Sequence, residues 1–543
     1  MSGGGERRHA LAQAMVPLGF LALFFVWPLV ELFRLGLAPD GAPDLGPVVD
    51  VVTDPGLRAV LWFTVWQATV STVLTLALAL PGAWVLGRRR FRGRAVFAAV
   101  TVVPFVLPTV VVAAAFRALL DGPLDPVLPD VGGVGAILAA HVFFNLAVVI
   151  RTVGGAWSRL DPRPEQAAAS LGAPPWRVAR EVTLPRLAPA LWASSALVFL
   201  FCATSFGVVL LLGGPGAATI EVEIHRQVLF LLDLPTGAAL AVVQLVAVLA
   251  LVLVQSRLAD RSVRGEAPVP PEVALRSPRS RRERAAMRSA IGVTMLITAV
   301  PLLVLVERSL RVGDGYGLRW FDELDESRRG STLFVAPTEA VLNSLVAALI
   351  ATTLALIVGG LAAFARSGSS ELRALDAVLL LPLGTSAVTL GVGMLLAFDT
   401  APFDWRSRWW IVPVAQALVA TPFVVRTVQP ALASLRRDLH EAAAVLGASP
   451  WQVVREVDLP IVGRAFGVAA GFGFAISLGE FGATVFLARG DRPTVPVAIA
   501  RFLGTPGVAN VGQAFALAVI LMVMTATAVL VVDRLRVPGQ GVL

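Results

Sequence analysis

The residues able to do covalent or metal chemistry are few and scattered. Four histidines, His9, His141, His225 and His440, lie far apart without metal-ligand spacing, and no catalytic constellation surrounds them. The one cysteine, Cys202, sits in an apolar run. It excludes an intrachain disulfide and a multi-cysteine metal site, and reads as a small core residue. All 45 basic residues are arginine. A phosphate-binding loop of the form GxxxxGK[ST] needs a lysine, so any ATP hydrolysis linked to this chain belongs to another polypeptide. The expectation is a chain with no metal site, no cofactor of its own and no covalent chemistry. Glu480 is the acidic residue placed well inside an apolar segment, and such carboxylates face a cavity or a partner. It could line a pathway that favours a cationic solute, or pair with backbone or arginine and fix its own helix. His141, Asn145, Asn343, Gln67 and Gln244 read as interhelical hydrogen-bonding residues.

The elements that must position these groups are membrane helices. Of 543 residues, 56% are hydrophobic and 15% charged, and mean hydropathy is +0.77; soluble domains carry about 25% charge. A spanning helix needs about 20 mostly apolar residues. Twelve such segments lie near 11 to 35, 59 to 86, 95 to 119, 133 to 154, 188 to 212, 236 to 257, 289 to 307, 338 to 365, 374 to 398, 409 to 430, 461 to 487 and 511 to 533. The first is too long for a signal-peptide core and lacks a small-residue cleavage site. The arginines concentrate in alternate loops, as in RRRFRGR (Arg88 to Arg94) and Arg257 to Arg288, which puts those loops and both termini on the cytoplasmic side. The net charge of +8 is thus a topology signal rather than a nucleic-acid footprint, and the expected surrounding is a lipid bilayer with no nucleic acid. Residues 308 to 336 form an acidic external loop.

The chain is also a duplication. EQAAASLGAPPWRVAREVTLP, Glu165 to Pro185, returns as HEAAAVLGASPWQVVREVDLP, His440 to Pro460. The same register carries Val149 to Val153 onto Val424 to Val428, and Thr219 to Ile224 onto Thr494 to Ile499. A repeat of this kind sets the architecture. The expected fold is an all-α integral membrane protein of about twelve transmembrane helices in two tandem six-helix repeats. Residues 1–257 form the first repeat, 258–288 an Arg- and Pro-rich cytoplasmic linker, and 289–543 the second repeat.

Each repeated loop reads as a rigid helix–turn–helix. A short alanine-rich helix, Gln166 to Leu171 or Glu441 to Leu446, ends at a glycine where a left-handed C-cap is tolerated. Pro175 and Pro450 suit the first turn of a second helix. That helix is expected to end at Leu-Pro, with Pro185 and Pro460 opening the next segment. Trp176 and Trp451 are exposed anchors in this reading. Loops drift unless they bind something, so close agreement between two loops points to a docking role.

The pattern EAA, then glycine, then Leu-Pro resembles the coupling loop of inner-membrane permeases of ATP-binding-cassette importers. Two loops fused in one chain resemble the double permeases of thiamine and ferric-iron importers. That resemblance implies a type I importer permease fold, a bacterial inner-membrane location, two copies of a cytoplasmic ATP-binding-cassette ATPase holding ATP and Mg, and an extracytoplasmic substrate-binding protein. Carried over residue by residue, the coupling loops are Glu165, Gln166, Ala167, Ala168, Gly172, Trp176, Leu184 and Pro185, and Glu441, Ala442, Ala443, Gly447, Trp451, Leu459 and Pro460. One departure stands out: the second copy has Glu441 where the first has Gln166, with Glu165 one place earlier. SFGVVLLLGGPGAATIEVEI is similar to the corresponding stretch of thiamine-importer permeases, which ranks thiamine ahead of ferric iron. Ser205, Phe206, Glu480 and Phe481 are the expected path residues, because glycines and prolines break the helices beside them, as in discontinuous segments that line a pathway. A gradient-driven secondary transporter also has a six-plus-six repeat. It predicts several paired intramembrane charges and no need for duplicated cytoplasmic loops.

Overall fold

A computed structural model describes residues 13–38, 41–123, 133–214, 216–262, 269–270, 274–278, 280–326, 333–367, 381–399, 403–435, 439, 442–443 and 445–535. Among them, ten helices are long and apolar enough to cross a membrane. We label these with two shorter pieces in chain order: α1 (Gln13–Leu37), α2 (Pro55–Arg88), α3 (Thr109–Leu120), α4 (Val134–Arg159), α5 (Pro175–Ala203), α6 (Leu234–Ser262), α7 (Arg281–Leu310), α8 (Pro337–Ser367), α9 (Ala387–Ala397), α10 (Ile411–Ala433), α11 (Trp451–Gly479) and α12 (Val508–Leu535).

Four expected spans differ from straight helices: 188–212 and 461–487 stop at Ala203 and Gly479 and resume as the short helices Gly207–Leu212 and Thr484–Leu487, and two others depart further. The segment 95–119 breaks into Arg94–Val106 and α3, bent by 100°. The break falls at Leu107-Pro108, both extended (ψ 142° and 139°), because the proline ring disfavours helical backbone in the residue before it. The segment 374–398 is represented by the short α9; its part at 374–380 lies outside the described residues.

Within each half, three long helices form a compact group: α2, α4 and α5 in the first, and α8, α10 and α11 in the second. The leading helix of each half crosses over. Helix α1 packs on α6 and on α9 of the second half, where Phe24 meets Phe398 and Trp410 with ring centroids 5.8 and 6.3 Å apart. Helix α7 packs on α2 and α3 of the first half and on α12. The largest buried cluster therefore joins residues of both halves, from Phe25 and Leu32 to Leu395, Phe398 and Phe502.

The stretch between the halves is shorter than the composition suggests, since α6 runs to Ser262 and α7 starts at Arg281. Ser280 caps α7 by accepting from the Glu283 amide (3.1 Å). Val269 N–H donates to the Arg159 carbonyl, and Arg276 exchanges backbone bonds with Arg88 and Arg90, each at 3.0 Å. The connection is thus held against the ends of α2 and α4. A small hairpin, Arg311–Val312 with Gly315–Tyr316, opens the loop at 308–336 of the otherwise helical fold.

Candidate functional site

The repeated loops show how their sequence folds. The first helix runs Arg163–Ser170 and buries none of its side chains. Gly172 then adopts φ +85° and Gly447 φ +79°, a conformation a Cβ opposes. Ala173 N–H reaches back to the Ala168 carbonyl (3.1 Å), and Ala448 N–H to that of Ala443 (3.0 Å). Both halves thus carry the same glycine-stopped C-cap. The second helix begins at Pro175 and at Pro450. In the second loop it is further fixed by a reciprocal Ser449/Gln452 cap: Ser449 N–H donates to Gln452 Oε1 (2.8 Å) and Gln452 N–H to Ser449 Oγ (3.4 Å).

The helix does not end at Leu-Pro. It passes through one π-helical turn, Ala179–Thr183 or Val454–Asp458, straight into the membrane helix. Leu184 N–H bonds to the Ala179 carbonyl and Leu459 N–H to that of Val454. Pro185 and Pro460 lack an N–H and would crowd the carbonyl four residues back in a tight helix. The wider turn makes room for the ring and keeps the rod continuous, so each loop is a lever rigidly attached to α5 or α11.

Apolar side chains stand free on these loops. Leu171 is 89% exposed and Leu446 86%, with Trp176 at 64% and Trp451 at 71%. Ala167 and Ala442 are exposed, as are Leu184, Pro185, Leu459 and Pro460, while Gln166, Ala168 and Ala443 are half-buried. The same two positions, leucine and tryptophan, thus stand exposed in both halves. Glu441 lies outside the described residues.

The first loop has an anchor that spacing did not reveal. Glu165 Oε1 accepts from Arg88 Nη2 (2.9 Å) and from Thr183 Oγ1 (3.0 Å). Arg88 Nη1 donates to the Leu160 carbonyl (2.9 Å). The repeat register puts Ala363 where Arg88 stands and His440 where Glu165 stands. The second loop therefore cannot form this ion pair.

Two of the expected path residues meet across the halves. Phe206 and Phe481 are equivalent in the repeat register, and their rings stack with centroids 5.2 Å apart and planes 22° apart. Two equivalent residues in contact must straddle the pseudo-two-fold axis, so the pair marks where the halves meet. Gly207 follows Phe206 closely: a Cβ there would lie 2.6 Å from Thr109 Oγ1 and 3.2 Å from Phe481 Cδ1. Ser205 is buried, and its carbonyl accepts from Thr219 Oγ1 (3.2 Å). Glu480 is 6% exposed. Its Oε1 accepts from Ala483 N–H (2.8 Å), and its Oε2 from Thr484 N–H (3.0 Å) and from the Thr484 hydroxyl. The carboxylate thus caps the short helix Thr484–Leu487, whose first amides would otherwise be unsatisfied.

Beside this pair lies a polar group that hydropathy did not single out. The short helix Ile220–Arg226 carries Glu221, Glu223 and His225, all buried. Glu223 pairs with Arg226 at 2.7 Å. Glu221 instead takes Gln244 Nε2 on Oε1 (2.5 Å) and, across the halves, Ser386 Oγ on Oε2 (3.1 Å). Two acids two positions apart in a seven-residue stretch between spans were the only sequence signal. Burial came from tertiary packing.

The other polar residues join helices to one another or, for Asn343, to the loop before Val495. Gln67 Nε2 donates to the Cys202 carbonyl (2.8 Å), Ser71 Oγ lies 3.1 Å from His141 Nδ1, and Asn145 Nδ2 reaches Cys202 Sγ (3.5 Å). Asn343 Nδ2 donates to the Pro493 carbonyl at 3.3 Å. Cys202 is fully buried.

Comparison with known proteins matches residues 79–265 and again 351–536 to the family described as binding-protein-dependent transport system inner membrane component. The chain is 28% identical over 555 aligned residues, 98% of both chains, to the thiamine transport system permease protein ThiP of Brucella abortus. It is 28% identical to ThiP of Escherichia coli, over 84% of this chain and 85% of that one. A solved bacterial ABC transporter involved in import of the acidic polysaccharide alginate aligns with 47% of this chain and 96% of its own, at TM-score 0.40 and 16% identity.

Proposed function

The chain belongs to the family of binding-protein-dependent transport system inner membrane components, and from that membership we propose that it is the permease of an ATP-driven thiamine importer. As a family member it is a multi-pass transport subunit of the inner membrane rather than an enzyme. The observation that carries the thiamine reading is the similarity to thiamine permeases along 98% of both chains. That similarity favours thiamine over ferric iron. Membership of a binding-protein-dependent family displaces the gradient-driven alternative.

In this reading the path runs along the axis between the halves, with Ser205, Phe206, Glu480 and Phe481 at its closed constriction. Two copies of a cytoplasmic ATPase, which hold the ATP and Mg, dock on the loops 165–185 and 440–460. A binding protein outside the membrane delivers the solute, and both termini lie in the cytoplasm. The division into 1–257, 258–288 and 289–543 stands as two functional halves and a tether whose outer parts are the ends of α6 and α7. The continuous π-jointed helices support the coupling: a docked ATPase that draws the loops together moves α5 and α11 as rods, and these carry the turns that bear Phe206 and Phe481. Closure on ATP then separates the two rings and opens the path outward, and hydrolysis restores the stack.

The test is uptake of labelled thiamine, with ferric iron in parallel, by cells with and without this gene. Loss of thiamine uptake alone supports the assignment. Loss of iron uptake alone removes the substrate and leaves the architecture.

A further inference from the structure

The stacked phenylalanines are the centre of a larger group of rings. The His225 imidazole lies with its centroid 5.3 Å from Phe206, 5.4 Å from Phe230 and 5.6 Å from Phe486 of the second half. His225 is 7% exposed and has no hydrogen-bond partner among the described residues. On the same face of its helix, one turn earlier, stands Glu221, which is fully buried. Its partners are the neutral side chains of Gln244 and Ser386, and no basic side chain among the described residues pairs with it. Gln244, itself buried, leaves its Oε1 without a partner. A buried carboxylate without a counter-charge is costly and is relieved by a cation that reaches it. Aromatic faces attract the same species, quaternary ammonium groups above all.

The second half offers no copy of this arrangement. The helix Val495–Leu503 occupies the equivalent place, with Pro496, Ala498 and Ala500 where the first half has Glu221, Glu223 and His225. A solute with one positive charge needs one counter-charge, so a carboxylate on one side of the axis suits it.

We infer that Glu221, His225 and the rings of Phe206, Phe481 and Phe486 form a transit site for an organic cation, exposed when the halves separate. The rings fill the space themselves in the closed form and turn their faces to the solute when the stack opens. Glu221 then exchanges Ser386, which leaves with the second half, for the passing positive charge. This deepens the thiamine reading and rests on it, since thiamine carries a permanently charged ring nitrogen.

The experiment uses the full chain assembled with its ATPase and binding protein in proteoliposomes. Labelled thiamine uptake and ATP hydrolysis stimulated by the loaded binding protein are measured together. Glu221→Gln keeps the shape and removes the charge: its amide oxygen still accepts from Gln244 Nε2, and its NH2 donates to the Ser386 hydroxyl oxygen in place of accepting from it. The expected result is at least a tenfold loss of uptake with hydrolysis within twofold of the unaltered complex. Uptake that is unchanged overturns the site, as does an equal loss of uptake and hydrolysis, which marks a structural latch. Should Glu221→Gln not reach the membrane, Phe486→Leu decides. It keeps apolar volume without a π face, and is expected to raise the KM for thiamine several-fold with hydrolysis retained; an unchanged KM overturns the proposal. An unaltered complex that carries no thiamine refutes the substrate reading itself and this site with it, whereas normal transport by both variants refutes the site alone.

Discussion

Replacing Gly447 isolates the shape of a loop from its contacts. Gly447 has φ +79° and Gly172 φ +85°, and a Cβ added at either meets nothing within 4 Å. Any penalty is therefore conformational: about 1–2 kcal/mol for an L-residue in the left-handed region, more for a β-branched side chain and little for asparagine. An isolated helix this short has almost no stability of its own, and the first loop's helix buries none of its side chains. The penalty then falls directly on the population of the docked shape, about 5–30-fold for 1–2 kcal/mol. The first loop resists better, because the Arg88–Glu165 bond adds about 1.5 kcal/mol, the low end for a charged hydrogen bond, Glu165 keeping 21% of its side-chain surface. We expect thiamine uptake per inserted chain to fall in the order Gly, Asn, Ala, Val at both positions, with steeper loss at 447 than at 172. Uptake, membrane level by immunoblot and ATP hydrolysis are measured for all six variants. A valine variant with full uptake, or an asparagine as damaging as valine, refutes the requirement for a left-handed cap. Greater sensitivity at 172 refutes the anchoring argument.

Arg88→Leu removes the guanidinium that Glu165 and the Leu160 carbonyl share. It should speed proteolysis within 163–183 without affecting 440–460, and equal cleavage of both loops would contradict the asymmetry. Glu480→Gln sets an amide NH2 against a site where every neighbour donates. A loss of about 1–3 kcal/mol should lower the thermal midpoint of the detergent-purified chain, and an unchanged midpoint would count against the capping role. Gly391→Ala puts a Cβ 2.7 Å from Ala483 Cα and 3.0 Å from its carbonyl oxygen. Backbone cannot yield cheaply, so about 1–3 kcal/mol of overpacking should appear as reduced thermal stability; a midpoint equal to the parent's would show that α9 can shift.

Much of this molecule was legible in its sequence wherever the determining physics is local. Mean hydropathy and span length fix a membrane chain, and a glycine after an alanine-rich turn fixes a left-handed cap. A 21-residue string that returns once fixes the duplication. Local rules failed at prolines. Leu184-Pro185 reads as a stop but is absorbed by a π turn, while Leu107-Pro108 lies in what reads as an unbroken span and bends it by 100°. A proline states that one hydrogen bond is missing, and the surrounding packing decides whether the chain widens or turns.

Tertiary structure alone decided which distant groups meet. The repeat made Phe206 and Phe481 equivalent, but only the assembled halves bring them onto one axis. Arg88 and Glu165 are 77 residues apart, and Glu221 and Ser386 stand in different halves; neither pair has a periodicity to betray it. Glu221 is polar by sequence and buried by context, and its partners come from α6 and the cap of α9. Sequence determines what a segment can do by itself, because hydrogen bonding and hydropathy act over a turn or a membrane thickness. The pairing of charges and rings across the halves depends on how whole helices pack, and no window along the chain contains that information.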